Sequence, residues 1–361
     1  MGKGIFGKTM RPKDSGNPGE TGGSGKPGGL VAGIANSVRE NSAGSIMGSR
    51  GNGKTRILPM LIAVAVLVTV PLYGSDYALN VMLLMFLYMS LGQMWNLLGG
   101  YAGLVSLGQQ SFIGIGGYTL AMISEVYKLP VILAFGVAAG ISVVFALVIS
   151  IPIFKMRNVY FTIGTWIVAE CLALWFSTWA FTNYAQGYSI TVTYSMTATH
   201  LYYVSLAVGL ASLVVVFVIL RSRMGLAIMA MRDNESAAEV RGVELYRTKL
   251  KLFLISACMT GLTGAAIYLN QAFIQPTNAF GISWTVSMVF IVVIGGLGTI
   301  EGPIIGAVIY VILRQILYNF PGISMIILGV IAIAIILLAP KGIMGLLTSR
   351  ISFEIFSVRR R

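Results

Sequence analysis

The sequence predicts an all-α polytopic membrane protein of about ten transmembrane helices, and three observations carry that reading. The chain is 56% hydrophobic and only 10% charged, against roughly 25% charged residues in an ordinary soluble domain. Apolar runs recur from Ile57 to Pro340, each close to the ~20 residues that cross a ~30 Å hydrocarbon core. The polar stretches between those runs also sort by charge onto two sides, as the positive-inside rule requires.

The spans fall at 57–73, 77–98, 103–123, 131–153, 159–181, 201–220, 251–270, 281–298, 303–320 and 322–339. With the N-terminal tail inside, even-numbered spans exit on the cytoplasmic side, where Lys155, Arg157, the loop from Arg221 to Lys251 and the C-terminal tail lie. The segments 182–200 and 271–282 carry no Lys or Arg and fit the outer face. A multi-pass protein of the cytoplasmic membrane follows, with both termini cytoplasmic. The formal charge of +13 then marks topology, and no nucleic-acid partner is expected.

Residues 1–56 hold fifteen Gly and nine Lys or Arg against three acids, the composition of a disordered basic cytoplasmic tail. The membrane domain covers 57–347, and 348–361 is a second basic tail. The start of the chain lacks the apolar run of a signal peptide, so cleavage is not expected. Two strings in the tail, Gly2 to Thr9 and Gly48 to Thr55, match the phosphate-loop pattern. That pattern cradles phosphate only between a strand and a helix N-terminus, and neither copy follows a strand.

The residue types of catalysis are missing. Cys171 and Cys258 both sit inside apolar runs as small hydrophobes. His200, the only histidine, has no Cys, Asp or Glu beside it, so no metal centre is expected. No H-E-x-x-H helix, nucleophile elbow or spaced carboxylate pair appears.

Two glycine-rich runs interrupt the spans. The first, from Gly99 and Gly100 to Tyr118, carries Gln109, Gln110 and Ser111, polar groups that need partners from protein or a wet cavity. The second contains Gly295, Gly296 and Gly298 and ends at Gly302-Pro303. If spans one to five and six to ten are halves, the third span of each is broken, and an odd number of spans per half implies an inverted five-helix repeat. Paired breaks of that kind point to a transport pathway, while close packing through small residues explains the same glycines.

Glu170 lies mid-span between Trp166 and Trp175 and is expected to face the bundle interior, because a lipid-facing carboxylate is costly. Gln93 and Asn96 read as packing contacts, and Arg314 as a side chain snorkelling to the outer interface. In the loop 221–251, Asn234 can cap a helix running through Glu235, Ala237, Ala238, Glu239 and Val240, which Gly242 ends at the position where glycine is favoured. A helix of two turns gains stability only by lying against a partner or the membrane face.

At this loop the chain resembles the membrane permease subunits of branched-chain amino-acid ABC importers. Asn96 to Tyr118, Met231 to Lys251 and Met288 to Gly306 carry the likeness. Met156 to Thr162 through Glu170, and Ala339 to Ile343, extend it, so that it spans about 75–347. After span five the family shows a turn of the type T-G-G-x-x-G, whereas Asn183-Tyr184-Ala185-Gln186-Gly187 keeps one glycine, which leaves the solute open.

The resemblance implies one transmembrane half of an ATP-driven importer of branched-chain amino acids, or of a related small polar solute such as urea or an amide. It implies two ATP-binding subunits, a second permease subunit and an extracytoplasmic solute-binding protein. ATP and Mg would be bound by the partner subunits, with no cofactor in this chain. Arg232, Asp233, Asn234, Glu235, Ala237, Ala238, Glu239 and Gly242 would form the ATPase-coupling contact. Gln109, Gln110, Ser111, Tyr160, Thr162 and Glu170 are candidates to line the pathway by position and polarity. The rival readings are a self-sufficient secondary transporter or channel, which needs no ATPase dock, and a polytopic membrane enzyme.

Overall fold

The computed structural model describes residues 64–156, 159–338 and 342–345. Both tails, the two phosphate-loop strings and Arg157 lie outside the described residues, as do residues 57–63 of the first span. What is described is almost wholly helical: α1 (Asp76–Trp95), α2 (Gln110–Ala121), α3 (Val131–Ile153), α4 (Val159–Thr178), α5 (Ala198–Arg221), α6 (Arg223–Asp233), α7 (Glu235–Val240), α8 (Leu245–Gln271), α9 (Pro276–Ala279), α10 (Ser283–Gly295), α11 (Gly302–Ile316) and α12 (Pro321–Leu338). A π-helical turn, Asn96–Tyr101, prolongs α1, and another, Met122–Val126, prolongs α2. Among the described residues six helical segments can cross a membrane by length and composition, and Gly302–Ile316 and Ile326–Ile335 are shorter apolar helices. The chain is an integral, all-α polytopic membrane protein.

Lipid gives two apolar helices no hydrophobic reason to associate, so close packing and hydrogen bonds must do it. α1 and α8 form the centre, flanked by α5, α10 and α11 around α1 and by α2 and α3 around α8. Glycines set these distances. A Cβ on Gly116 would fall on the carbonyl oxygen of Gly261, and one on Gly264 on that of Ile113, so α2 and α8 touch backbone to backbone. The α10–α11 pair closes in the same way, with Gly306 against the Ile291 carbonyl and Gly295 against that of Gly302. The small-residue packing read from the first glycine run is therefore present.

α6, α7 and Lys155 lie at one end of the bundle, where Phe154 stacks edge-on against Tyr246 and Lys249 pairs with Glu235 at 2.7 Å. The opposite end is capped by the segment after α4. There Tyr188–Ser189 (β1) pairs antiparallel with Phe273–Ile274 (β2), and Glu125 accepts hydrogen bonds from Thr191 N, Val192 N and the Thr191 hydroxyl. This stitched cap was not read from the sequence, since two-residue strands leave no alternation to detect.

The departure at Asn183 to Gly187 turns out to be one of residue type. Asn183 has φ 56°, Tyr184 φ 53° and Gly187 φ 80°, so the chain keeps positive-φ backbone at the three positions that the T-G-G-x-x-G resemblance expects to be glycine. A tyrosine there costs about 1–2 kcal/mol, of which glycine would return all but the ~0.5–1 kcal/mol of its extra entropy. Tyr184→Gly is therefore expected to raise thermal stability by about 0.5–1 kcal/mol, read as an upward shift of the melting temperature in detergent. No shift, or a drop, would show that the Tyr184 ring contributes more than its backbone costs.

Candidate functional site

Four chain segments converge at the end that carries α6 and α7. Gln93, in the last turn of α1, and Asn96, which opens the π-helical turn after it, lie three residues apart and are directed at the turn between α10 and α11. Gln93 Nε2 donates to the Ile300 carbonyl at 2.6 Å, and Asn96 Nδ2 to that of Thr299 at 2.8 Å, while Asn96 Oδ1 accepts from Gly298 N at 2.9 Å. Gly298 (φ 75°) and Gly296 (φ 131°) supply backbone that a side chain would oppose. A Cβ on Gly100 would lie 2.8 Å from Gly298 N, so the two glycine runs touch. Gly342 packs in turn on Gly296.

The breaks thus form one joint at one end of the bundle, where an inverted repeat would put equivalent positions at opposite ends. Gly99 and Gly100 end a helix instead of interrupting one. Gly103 (φ 72°) turns the chain, Leu104 N donates back to the Leu98 carbonyl at 2.9 Å, and residues 102–109 run as irregular backbone before α2 begins. Span three therefore starts as helix at Gln110 and not at 103. The irregular stretch is tolerated because it is held by protein: Trp95 Nε1 donates to the Ser106 carbonyl, Leu107 N to Thr165 Oγ1, and the Thr162 hydroxyl to the Val105 carbonyl. Sequence reading assigned Gln93 and Asn96 to ordinary packing. The signal that could have singled them out is two amides three residues apart, just before a glycine pair.

Above the joint, Asn234 ends α6 and caps α7, its Oδ1 accepting from Ala237 N at 3.1 Å. Gly242 (φ 85°) closes the helix with its N–H on the Glu239 carbonyl at 2.9 Å, and Val243 N reaches the Ala238 carbonyl at 3.0 Å. The helix runs where its capping residues place it. Asp233, Glu235, Ala237 and Glu239 are exposed, Ala238 is buried beneath, and Val240 is 89% exposed. Arg232 instead turns inward: Nη1 donates to the Gly100 carbonyl at 2.7 Å. Burial lowers the proton affinity of this guanidinium, with Asp233 and Tyr101 opposing, and an arginine stays charged throughout.

The six residues proposed for a pathway separate into two groups. Gln109, Gln110 and Ser111 are buried inside this chain, where Gln109 Nε2 bonds Ser256 Oγ at 3.0 Å and Gln110 Oε1 accepts from the Thr285 hydroxyl. Gln109 Oε1, Gln110 Nε2 and Ser111 Oγ are buried without a hydrogen-bond partner. Tyr160 and Glu170 lie on the outer face of α4 with Ile163, Trp166 and Ile167, and Thr162 sits at its edge.

The expectation that Glu170 faces the interior of this chain is thereby corrected. α4 buries Phe161, Gly164, Thr165, Ala169, Leu172 and Phe176, and Glu170 follows the opposite side, accepting from Trp166 Nε1 at 3.0 Å. Arg314, at the opposite end, lies over the Tyr88 ring and bonds its hydroxyl, a cation–π contact that the apolar surround does not offer. A cleft of about 280 Å³ opens beside it, lined by Tyr77, Asn80, Leu84 and Tyr318 among others.

Asn96→Ala removes both amide bonds across the joint. At about 0.6–1.7 kcal/mol for each interhelical bond in a membrane, a loss of roughly 1–3 kcal/mol is expected, measured as a lowered melting temperature of the purified protein. Unchanged melting would mean that backbone contacts alone hold the turns together.

An all-helical membrane bundle with an exposed, doubly capped loop helix over paired glycine turns has the character of a transport protein. The chain belongs to the branched-chain amino acid transport system permease family, whose sequence model matches residues 77–339. Its relatives include the high-affinity branched-chain amino acid transport system permease proteins LivM of Escherichia coli, 27% identical over 79% of this chain and 74% of that one, and of Salmonella typhimurium, 26% identical over 83% and 77%. The probable branched-chain amino acid transport permease protein LivH of Methanocaldococcus jannaschii is 27% identical over 35% of this chain and 42% of its own length. These relatives are transport permeases and not enzymes. No solved structure matches the chain.

Proposed function

We propose that this chain is the transmembrane permease subunit of an ATP-driven importer for branched-chain amino acids or a related small polar solute such as urea or a short amide. The observation that carries this reading is α7, a two-turn helix exposed at the end of the bundle with a bare valine on it, in a member of this family. The buried Ala238 and the Lys249–Glu235 pair seat this helix on the bundle with Val240 left bare, and a docking ATPase subunit would cover that valine. Two such subunits would bind ATP and Mg, so that this chain itself needs no cofactor and performs no catalysis.

In this reading the membrane is crossed ten times and the end bearing α6 and α7 is cytoplasmic. The strict alternation of helix direction from residues 64–69, whose Leu67 and Val68 carbonyls accept from Tyr202 and Tyr203 at the start of α5, through α12 supports the count. Alternation also makes the two five-span halves antiparallel, as an inverted repeat demands, although the glycine breaks are not its equivalent positions. The basic residues Lys155, Arg221, Arg223, Arg241, Arg247, Lys249 and Lys251 at one end support the orientation, which puts both termini in the cytoplasm.

A second permease subunit would cover the outer face of α4, since a lipid-facing Glu170 would be costly. Tyr160, Thr162 and Glu170 would then line the route between subunits, with Gln109, Gln110 and Ser111 behind it. A solute-binding protein would dock at the Glu125-stitched end.

The test is uptake of labelled leucine by the chain reconstituted with its candidate ATPase, permease and binding-protein partners. Uptake that requires ATP and all partners supports the reading. Leucine or amide flux through this chain alone, driven by an ion gradient, would overturn it in favour of a secondary transporter.

A further inference from the structure

We infer that Arg232 is a transmission pin, a positioning residue that passes displacement of α7 to the glycine joint; the inference rests on the proposed function and adds to it the route inside this chain. Arg232 lies in the last turn of α6, two residues before Asn234, the residue that ends α6 and caps α7, so the two helices meet at one shared cap. Its guanidinium lies on both glycine runs at once. Nη1 donates to the Gly100 carbonyl at 2.7 Å, and a Cβ on Gly298 would sit 3.2 Å from the same nitrogen. Its stem rests on a third glycine: a Cβ on Gly103 would lie 3.3 Å from Arg232 Cγ.

Gly103 and Gly298 thus clear the space that one arginine fills, Gly100 supplies the carbonyl it bonds, and Asn96 locks the surfaces beneath it to each other. An unbroken chain of contacts leads from the exposed helix through Arg232 to Gly100 and Gly298, and from there to α1 and the α10–α11 turn. The resemblance placed Arg232 among residues facing the ATPase, whereas its bonds point the other way. A helix end seated directly on glycine backbone joins the exposed helix to the joint through contiguous contacts, the kind of packed network that can carry coupling between distant sites.

Arg232→Met keeps the stem and removes the charge and its donors. In the complete importer in proteoliposomes, leucine taken up per ATP hydrolysed is expected to fall roughly tenfold, while the ATPase subunits still co-purify and hydrolyse ATP. Arg232→Lys, which restores charge without the planar fork, is expected to recover part of the ratio, and it carries the test if the methionine variant fails to fold. An unchanged ratio in either folded variant overturns the inference. So does loss of ATPase co-purification in Arg232→Lys, which would make Arg232 a docking residue while leaving the proposed function intact. If the parent importer shows no ATP-dependent uptake, the proposed function fails first and the inference with it.

Discussion

Replacing Gly116 with leucine is expected to abolish accumulation of folded protein in the membrane. The obstacle is the Gly261 backbone carbonyl on α8, onto which a Cβ at position 116 would fall, and no rotamer can move it. Relief requires separating α2 from α8, which also carries Gly264 against Ile113 and Tyr268 against Gly117. Overpacking of an adaptable core costs about 1–3 kcal/mol; against two fixed backbones the cost exceeds that range and approaches the ~5–15 kcal/mol stability of a typical native protein. The measurement is the yield of monodisperse protein after detergent extraction. Gly140→Leu on the outer side of α3, where an added Cβ meets nothing within 4 Å, is the control expected to retain yield. Equal yields for both would show that α2 and α8 are not in contact through glycine.

Val240→Glu is expected to leave the chain folded and abolish transport. At 89% exposure the residue contributes nothing to packing, so the melting temperature should stay within the few tenths of a kcal/mol usual at surface positions. Beneath a docked ATPase subunit the same carboxylate would be desolvated without a partner. A loss of about 2 kcal/mol or more at such an interface position weakens association roughly 30-fold. Co-purification of the ATPase subunits and leucine uptake report the two parts separately. Full uptake by a folded Val240→Glu protein would move the dock elsewhere on the loop. The Lys249–Glu235 pair that ties α7 to α8 is a weaker lever. Part of it is exposed, and such pairs contribute about 1 kcal/mol or less.

What could be read from the sequence divides along the range of the interactions involved. The loop helix was legible to its caps because Asn234 and Gly242 act within a turn of themselves, and a polar loop offers them no competition. The spans were legible because lipid demands continuous apolar length. Which side of a span faces outward was not. Lipid and core are equally apolar, so hydrophobic periodicity carries little information in α3 or α4, and Glu170 could be placed by depth but not by direction. The joint escaped notice for a different reason: its partners lie far apart in sequence, and the polar residues on each side look like ordinary packing when read alone. Span three begins as helix later than its hydropathy suggests, because Gly103 and Gly108 are apolar enough to extend the run, while the positive φ of Gly103 and the close approach of Gly108 to Thr165 hold the chain out of a helix before Gln110.

The amide bonds of α1 also set a clock on biosynthesis. Gln93 and Asn96 find their acceptors 207 and 203 residues later in the chain. A ribosome adding about 5–20 residues per second needs roughly 10–40 s to cover that distance. For that interval the nascent chain holds two unsatisfied amides within a helix already committed to the membrane, a window in which quality-control proteases can distinguish an unfinished molecule from a complete one.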